Sequence, residues 1–194
     1  LKKQKLGFSE SINKRETDES SKDRVSLLNR IKSCGREKNL CELRRIHDDI
    51  FHGNNSVFVK DVYVSTSLIT TFAKCGALKE SRDVFEQLLI RDVVSWTALI
   101  SGYAQHGQSK SALKLYRRMC KDGILPTKVT FFAVLSACSF AGLMHDAQGY
   151  FDSMERDYGL IPEVIHYNCI IDLLGRAGRI NEAVAALEQL PYQP

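Results

Sequence analysis

Apolar residues in this chain recur at i, i+3, i+4 and i+7 over short stretches, and the stretches come in pairs. From Val93 onward, Trp96, Leu99, Ile100 and Tyr103 form one stripe, and Ala112, Leu113, Leu115, Tyr116 and Met119 form the next. Stripes of this kind predict two antiparallel helices, each with one face turned to a shared core. The pairing repeats along the chain. An apolar pair at Leu68-Ile69, Leu99-Ile100, Val134-Leu135 or Ile170-Ile171 is followed seven or eight residues later by Gly76, Gly107, Gly142 or Gly178. Five residues further stands a small residue, Ser81, Ala112, Ala147 or Ala183, and then a bulky one, Phe85, Tyr116, Phe151 or Leu187. The glycine supplies the left-handed residue that ends a first helix, and the small residue lets the second approach it. A period near 35 residues predicts a solenoid of helical hairpins, in which only stacking completes the core.

Counted from a fixed point two residues before the aligned hydroxyl or aromatic column, the units open at Arg24, Val62, Val93, Lys128 and Val164, at steps of 38, 31, 35 and 36 residues. The first unit has stripes Leu27, Leu28, Ile31, Cys34 and Leu40, Leu43, Ile46, His47, Ile50, but carries Lys38 in place of the glycine. It closes in a looser segment, HGNNSVFVKD. Residues 1–23 mix lysines, acids and serines with few large apolar side chains, and predict a disordered leader or linker. Gly123 and Pro126 mark a stop between one hairpin and the next.

Composition narrows this picture only a little. A net charge of +4, from 27 basic and 23 acidic residues, makes an anionic partner plausible without pointing to nucleic acid. No stretch approaches the roughly 18 apolar residues of a membrane span. The six cysteines form no CxxC pair, and they predict small core residues in a reducing compartment. The chain opens on Leu1, as an excised fragment does, and the expectation is that any targeting peptide lies outside it and that its end units expose apolar flanks prone to self-association.

With period and residues together, the units resemble pentatricopeptide repeats over residues 24–194, in the plant subclass that cycles long, short and standard-length versions. On this resemblance residues 24–61 are a divergent long-type unit and 62–92 a short one. Residues 93–127 are standard, 128–163 long, and 164–194 a truncated terminal short unit. The implied fold is all-α, a right-handed superhelical solenoid of stacked antiparallel hairpins. The implied function is sequence-specific single-stranded RNA binding in an organellar RNA-processing factor, most readily one for C-to-U RNA editing, in a mitochondrion or chloroplast. The implied partners are organellar RNA and other RNA-editing or RNA-processing proteins, with no cofactor and no membrane.

By the same resemblance, the fifth and last residues of a unit approach a base edge and the second packs on base faces. A short hydroxyl or amide can donate or accept at an edge, and an apolar neighbour offers stacking surface. Carried onto this chain, the edge readers are Thr66, Asp92, Thr97, Thr127 and Asn168. The stacking residues are Tyr63, Val94, Val129 and Ile165, with Tyr63 departing from the aliphatic norm. Thr66 with Asp92 resembles a guanine reader, and Thr97 with Thr127 a weak purine reader. Asn168 resembles a pyrimidine reader. Phe132 has no edge hydrogen bond to make and implies a spacer, and Leu28 holds the fifth position of the first unit.

Other chemistry is thin. His47, His52, His106, His145 and His166 are each followed two residues later by a residue other than glutamate, and no Pro-Cys-x-x-Cys is present, so neither half of the zinc deaminase signature occurs. The fragment is therefore expected to supply an address and no catalysis. Lys74 and Arg176 could face a phosphate backbone, or could be solvated cations favoured at helix C-termini. Trp96 and Tyr103, at helical spacing, are expected in the core. Asn54-Asn55-Ser56 matches a glycosylation sequon that the cysteine usage argues against. The competing reading is a peptide-binding scaffold like tetratricopeptide repeats, but those keep a near-fixed period of about 34 residues.

Overall fold

The computed structural model describes residues 23–53, 56–188 and 190. Of the leader expected over residues 1–23, residues 1–22 lie outside the described residues, as do the asparagines of the sequon, while Asp23 already stands in the first helix. The elements are α1 (residues 23–37), α2 (Leu40–His52), a 3₁₀ turn (Ser56–Lys60), α3 (Val62–Lys74), α4 (Leu78–Glu86) and α5 (Val93–Gln105). They continue with α6 (Ser109–Lys121), α7 (Lys128–Ala141), α8 (Met144–Tyr158), α9 (Val164–Arg176) and α10 (Ile180–Glu188). All are helical, and they stack as antiparallel hairpins into a right-handed superhelical solenoid.

Local chemistry fixes where each first helix starts. Asp61 accepts from the Tyr63 and Val64 N–H groups, Asp92 from Ser95 N–H, and Thr127 forms a capping box with Thr130. Helices α3, α5, α7 and α9 consequently begin at Val62, Val93, Lys128 and Val164, the residues from which the units are counted. Each ends in the same closure. Gly76, Gly107, Gly142 and Gly178 take positive φ, and the following N–H returns to a carbonyl five residues back, as in Ala77 N to Phe72 O at 2.9 Å. Lys38 adopts the same left-handed conformation, φ 52°, and Asn39 N reaches Cys34 O at 2.9 Å. The first unit thus keeps the turn geometry without the residue that makes it cheap.

The first helices α3, α5, α7 and α9 pack side by side in one row, and each second helix α4, α6 or α8 lies against its own partner and the next first helix. The core runs between these layers. Trp96, Leu99 and Ile100 are fully buried and Tyr103 nearly so, as are Ala112, Leu113, Leu115, Tyr116 and Met119. Phe85 meets Trp96 edge-on with ring centroids 4.6 Å apart. The small residues Ser81, Ala112, Ala147 and Ala183 are buried, and Ser81 Oγ donates to Ile69 O at 2.8 Å within its hairpin.

Two expectations need correction. Cys41 is exposed on α2, on the side of that helix opposite its buried Leu43, Ile46 and Ile50, so not every cysteine is a core residue. The segment expected to be loose contains the 3₁₀ turn, anchored by buried Phe58. The bulky position weakens along the array, from Phe85, fully buried, to Leu187, 46% exposed. The remaining thiols are free, and burial pushes Cys138 up to about 12.

Candidate nucleic-acid interface

The row of first helices presents its second residues to solvent. Tyr63 (72% exposed), Val94 (55%), Val129 (60%) and Ile165 (42%) each stand one residue inside a helix N-terminus, on successive helices of the row. Large apolar groups in that place have no fold-building role, because the buried stripes of α3, α5, α7 and α9 lie on the other side. Tyr63 differs from the other three. The Arg24 guanidinium lies 4.8 Å from its ring centroid and is held there by Asp61, with Arg24 Nε 2.7 Å from the carboxylate.

Between α3, α5 and the start of α7 lies a cleft of about 370 Å³ lined by Thr66, Val94, Thr97, Thr127, Val129 and Lys74, among others. Five of the residues expected to read or stack on bases, together with Lys74, therefore share one groove. A neighbouring cleft of about 390 Å³, between α1 and α3, shares Thr70 and Lys74 with the first and adds Lys32 and Arg36. Lys74 thus belongs to both, and a groove with hydroxyl and aliphatic walls runs on into one with three cations. Arg176 is placed otherwise: it forms an ion pair with Asp172 at 2.7 Å and lies over Phe140.

The positions expected to read bases differ in their hydrogen bonding. Thr66 Oγ1 is buried and has no partner. The Asp92 carboxylate accepts Ser95 N–H through Oδ1 at 2.8 Å, while the Ser95 hydroxyl turns to Asp92 O at 2.9 Å. Thr97, only 9% exposed, has its hydroxyl 2.7 Å from that of Thr130 on the next helix. Thr130 Oγ1 in turn accepts Thr127 N–H at 3.1 Å and lies 3.1 Å from Thr127 Oγ1. Asn168 is exposed on α9, and Phe132 is 40% exposed on α7. After Phe132 the unit ends at Glu163, whose carboxylate is held below its usual range by a hydrogen bond from Lys128 at 2.8 Å.

Thr130, Ser95 and His166 occupy one position, the third residue of a first helix, and all are fully buried. Sequence reasoning gave none of them a role beside the groove. The signal available was a polar residue at a site whose neighbours on the helix are core. Among the described residues no group of histidines, cysteines and carboxylates could hold a metal ion, and no helix is long and apolar enough to cross a membrane.

Sequence models of pentatricopeptide repeat families match residues 63–93 and 129–158 (PPR repeat), 91–139 (PPR repeat family) and 158–191 (PPR repeat). Among curated proteins of Arabidopsis thaliana, the chain is 38% identical over 181 residues to pentatricopeptide repeat-containing protein CRR2, chloroplastic, covering 93% of this chain and 27% of that one. It is 37% identical over 169 residues to the mitochondrial pentatricopeptide repeat-containing protein At1g56690, covering 87% and 24%. The chain thus spans about a quarter of the length of the relatives it matches. Among solved structures, that of the maize pentatricopeptide repeat protein PPR10 in complex with an 18-nt psaJ RNA element superposes with a TM-score of 0.63 and 26% identity. That match covers 75% of this chain and 21% of PPR10.

Proposed function

This chain belongs to the pentatricopeptide repeat family, and from that premise we infer that its row of first helices binds single-stranded RNA, one base to a unit. The observation that carries the reading is the exposed apolar residue at the second position of four successive first helices, beside a cleft that collects Thr66, Thr97 and Thr127 and continues to Lys32, Arg36 and Lys74. Bases stack on a column of that kind, and cations at its margin suit the phosphate backbone. The relative PPR10 was solved with RNA, which supports the class of ligand.

In this reading the units are a divergent long-type repeat over 24–61, a short one over 62–92, a standard one over 93–127, a long one over 128–163 and a terminal short one from 164. Tyr63, Val94, Val129 and Ile165 stack, while Thr66 with Asp92, Thr97 with Thr127, and Asn168 read edges. The fragment supplies address without catalysis to a plant organellar RNA-processing factor in a chloroplast or mitochondrion, and C-to-U editing is the process we assign to it. Relatives with chloroplastic and mitochondrial names support the organellar setting.

With three or four bases each contributing roughly 1–3 kcal/mol against an association cost of several kcal/mol, the chain alone is expected to bind in the micromolar range or weaker. Fluorescence anisotropy with single-stranded RNA, its double-stranded form and matched DNA tests this. Selective binding of the single-stranded RNA is the expected result, and equal or absent binding of all three rejects the reading.

A further inference from the structure

We propose that Arg24, on α1, is a positioning residue that holds the Tyr63 ring ready for a base, a task the other stacking residues perform unaided. The proposal rests on the RNA reading above. Val94, Val129 and Ile165 are β-branched, and a β-branched aliphatic side chain in a helix keeps essentially one χ1 rotamer. Each is therefore fixed on the surface before a ligand arrives. Tyr63 has no branch at Cβ, and an aromatic side chain on a helix has two χ1 wells open to it. At 72% exposure it lacks the packing that would choose between them.

Arg24 makes the choice. Its guanidinium lies 4.8 Å from the ring centroid, and the tyrosine still keeps most of its surface open to a ligand. Asp61 holds the guanidinium in turn: Nε is 2.7 Å from Oδ2, and Nη2 reaches Oδ1 at 3.5 Å. Nε makes no well-aligned hydrogen bond there, so ionic attraction carries this hold. Asp61 is itself anchored as the cap of α3, where Oδ1 accepts Tyr63 N–H at 2.9 Å and Val64 N–H at 3.2 Å. The lock thus closes on the helix that carries the tyrosine, and a ring that swings to its other rotamer gives up the cation–π contact.

The same place in the following units carries no such device. The first residues Val62 and Val93 offer no cation to Val94 and Val129, which need none. Lys128 forms the matching ion pair with Glu163 at 2.8 Å, but the stacking residue that follows, Ile165, has no ring to hold. A cation and an unbranched aromatic occur together where α1 meets α3.

Ordering one exposed side chain on binding weakens affinity by a factor of about two to ten. With Arg24 in place, Tyr63 is ordered on folding instead. The test is a double-substitution cycle on this chain, with binding of 5′-UUUUGUUUU-3′ read by fluorescence anisotropy, the guanine meeting Thr66, Asp92 and the Tyr63 ring. Arg24→Gln should weaken binding in the chain that keeps Tyr63 by about two- to tenfold more than in the Tyr63→Val chain, where residue 63 is β-branched. Loss of the charge weakens both alike and drops out of that ratio. A readout without RNA separates positioning from direct contact of Arg24 with the base: side-chain couplings of isotope-labelled Tyr63 should report one χ1 rotamer in the wild-type chain and an average of two in Arg24→Gln.

Equal losses in the two chains overturn the proposal, and so does a Tyr63 rotamer that Arg24→Gln leaves unchanged. A Tyr63 already averaged in the wild-type chain overturns it without any variant, so the test survives if Arg24→Gln does not fold. Those results leave the RNA reading standing. If the wild-type chain binds neither this RNA nor a randomised single-stranded pool, the RNA reading itself falls and this proposal with it.

Discussion

Two threonines at the same place in successive units end in opposite situations. Thr66 on α3 has a buried hydroxyl with nothing to bond, and Thr97 on α5 has its hydroxyl 2.7 Å from Thr130. The helices around them are alike in length and in their aspartate caps, and each exposes a large side chain at its second position, Tyr63 or Val94. The difference comes from the third residue of the following helix, Ser95 in one case and Thr130 in the other. A buried hydroxyl without a partner costs stability in the free protein and regains it when a ligand fills the gap, whereas a satisfied hydroxyl has less to gain. If the groove reads RNA as proposed, discrimination depends on where unmet hydrogen bonds are left, as well as on which side chains line it.

The strongest way to break the comparison is to disturb the spacing of α3 and α5, which carry both threonines. A Cβ added at Gly102 would stand 2.6 Å from the Ala73 Cβ. Gly102→Val should therefore cost about 1–3 kcal/mol by chemical denaturation, with part recovered in the Ala73→Gly double variant. No loss would mean that the two helices slide apart freely, and a loss without recovery that the cost does not come from the contact with Ala73.

The same substitution at the two threonines sharpens it directly. Thr66→Val removes a hydroxyl that has no partner and should leave stability unchanged or raise it slightly, while reducing the preference for guanine. Thr97→Val takes a partner from buried Thr130 and should cost about 1 kcal/mol. Equal effects on melting would show the two hydroxyls to be equivalent after all.

Two smaller changes serve as controls away from both corners. Lys38→Gly relieves a left-handed lysine and should stabilise the chain by about 1 kcal/mol, without moving any base preference. Glu86, gripped by Arg118 through both carboxylate oxygens, has its pKa lowered chiefly by that hydrogen bond. A lowered folded value means its contribution is present above the unfolded carboxylate pKa and is lost as pH falls through the folded one. Glu86→Gln should flatten the stability profile below about pH 4 by less than about 1 kcal/mol, since the pair is partly exposed.

Much of the architecture was legible because it is written locally. A glycine where φ must be positive, a carboxylate or hydroxyl one residue before an apolar stripe, and a small residue where helices cross each act within a few positions. Hence the starts of α3, α5, α7 and α9 and the core places of Trp96 and Tyr103 could be read in advance. The exposure of Tyr63, Val94, Val129 and Ile165 follows from the same periodicity, since those positions fall outside the buried stripes.

What periodicity does not carry is the choice of partner between units. Thr97 meets Thr130 across 33 residues, Arg24 covers Tyr63 from α1, and Ser95 turns from a side chain to a carbonyl. Each depends on helix spacing and rotamer, neither of which has a one-residue signature. Cys41 and the anchored turn at Phe58 were misjudged for a related reason: composition describes a segment, and burial belongs to single side chains.

The most direct test of the account is selection of this chain's preferred sequences from a randomised single-stranded RNA pool. The account predicts a guanine at one position followed by a position with only a weak purine preference, the two facing Thr66 with Asp92 and Thr97 with Thr127. Enrichment at the second position as strong as at the first, or retention of duplex in place of single strands, would contradict it.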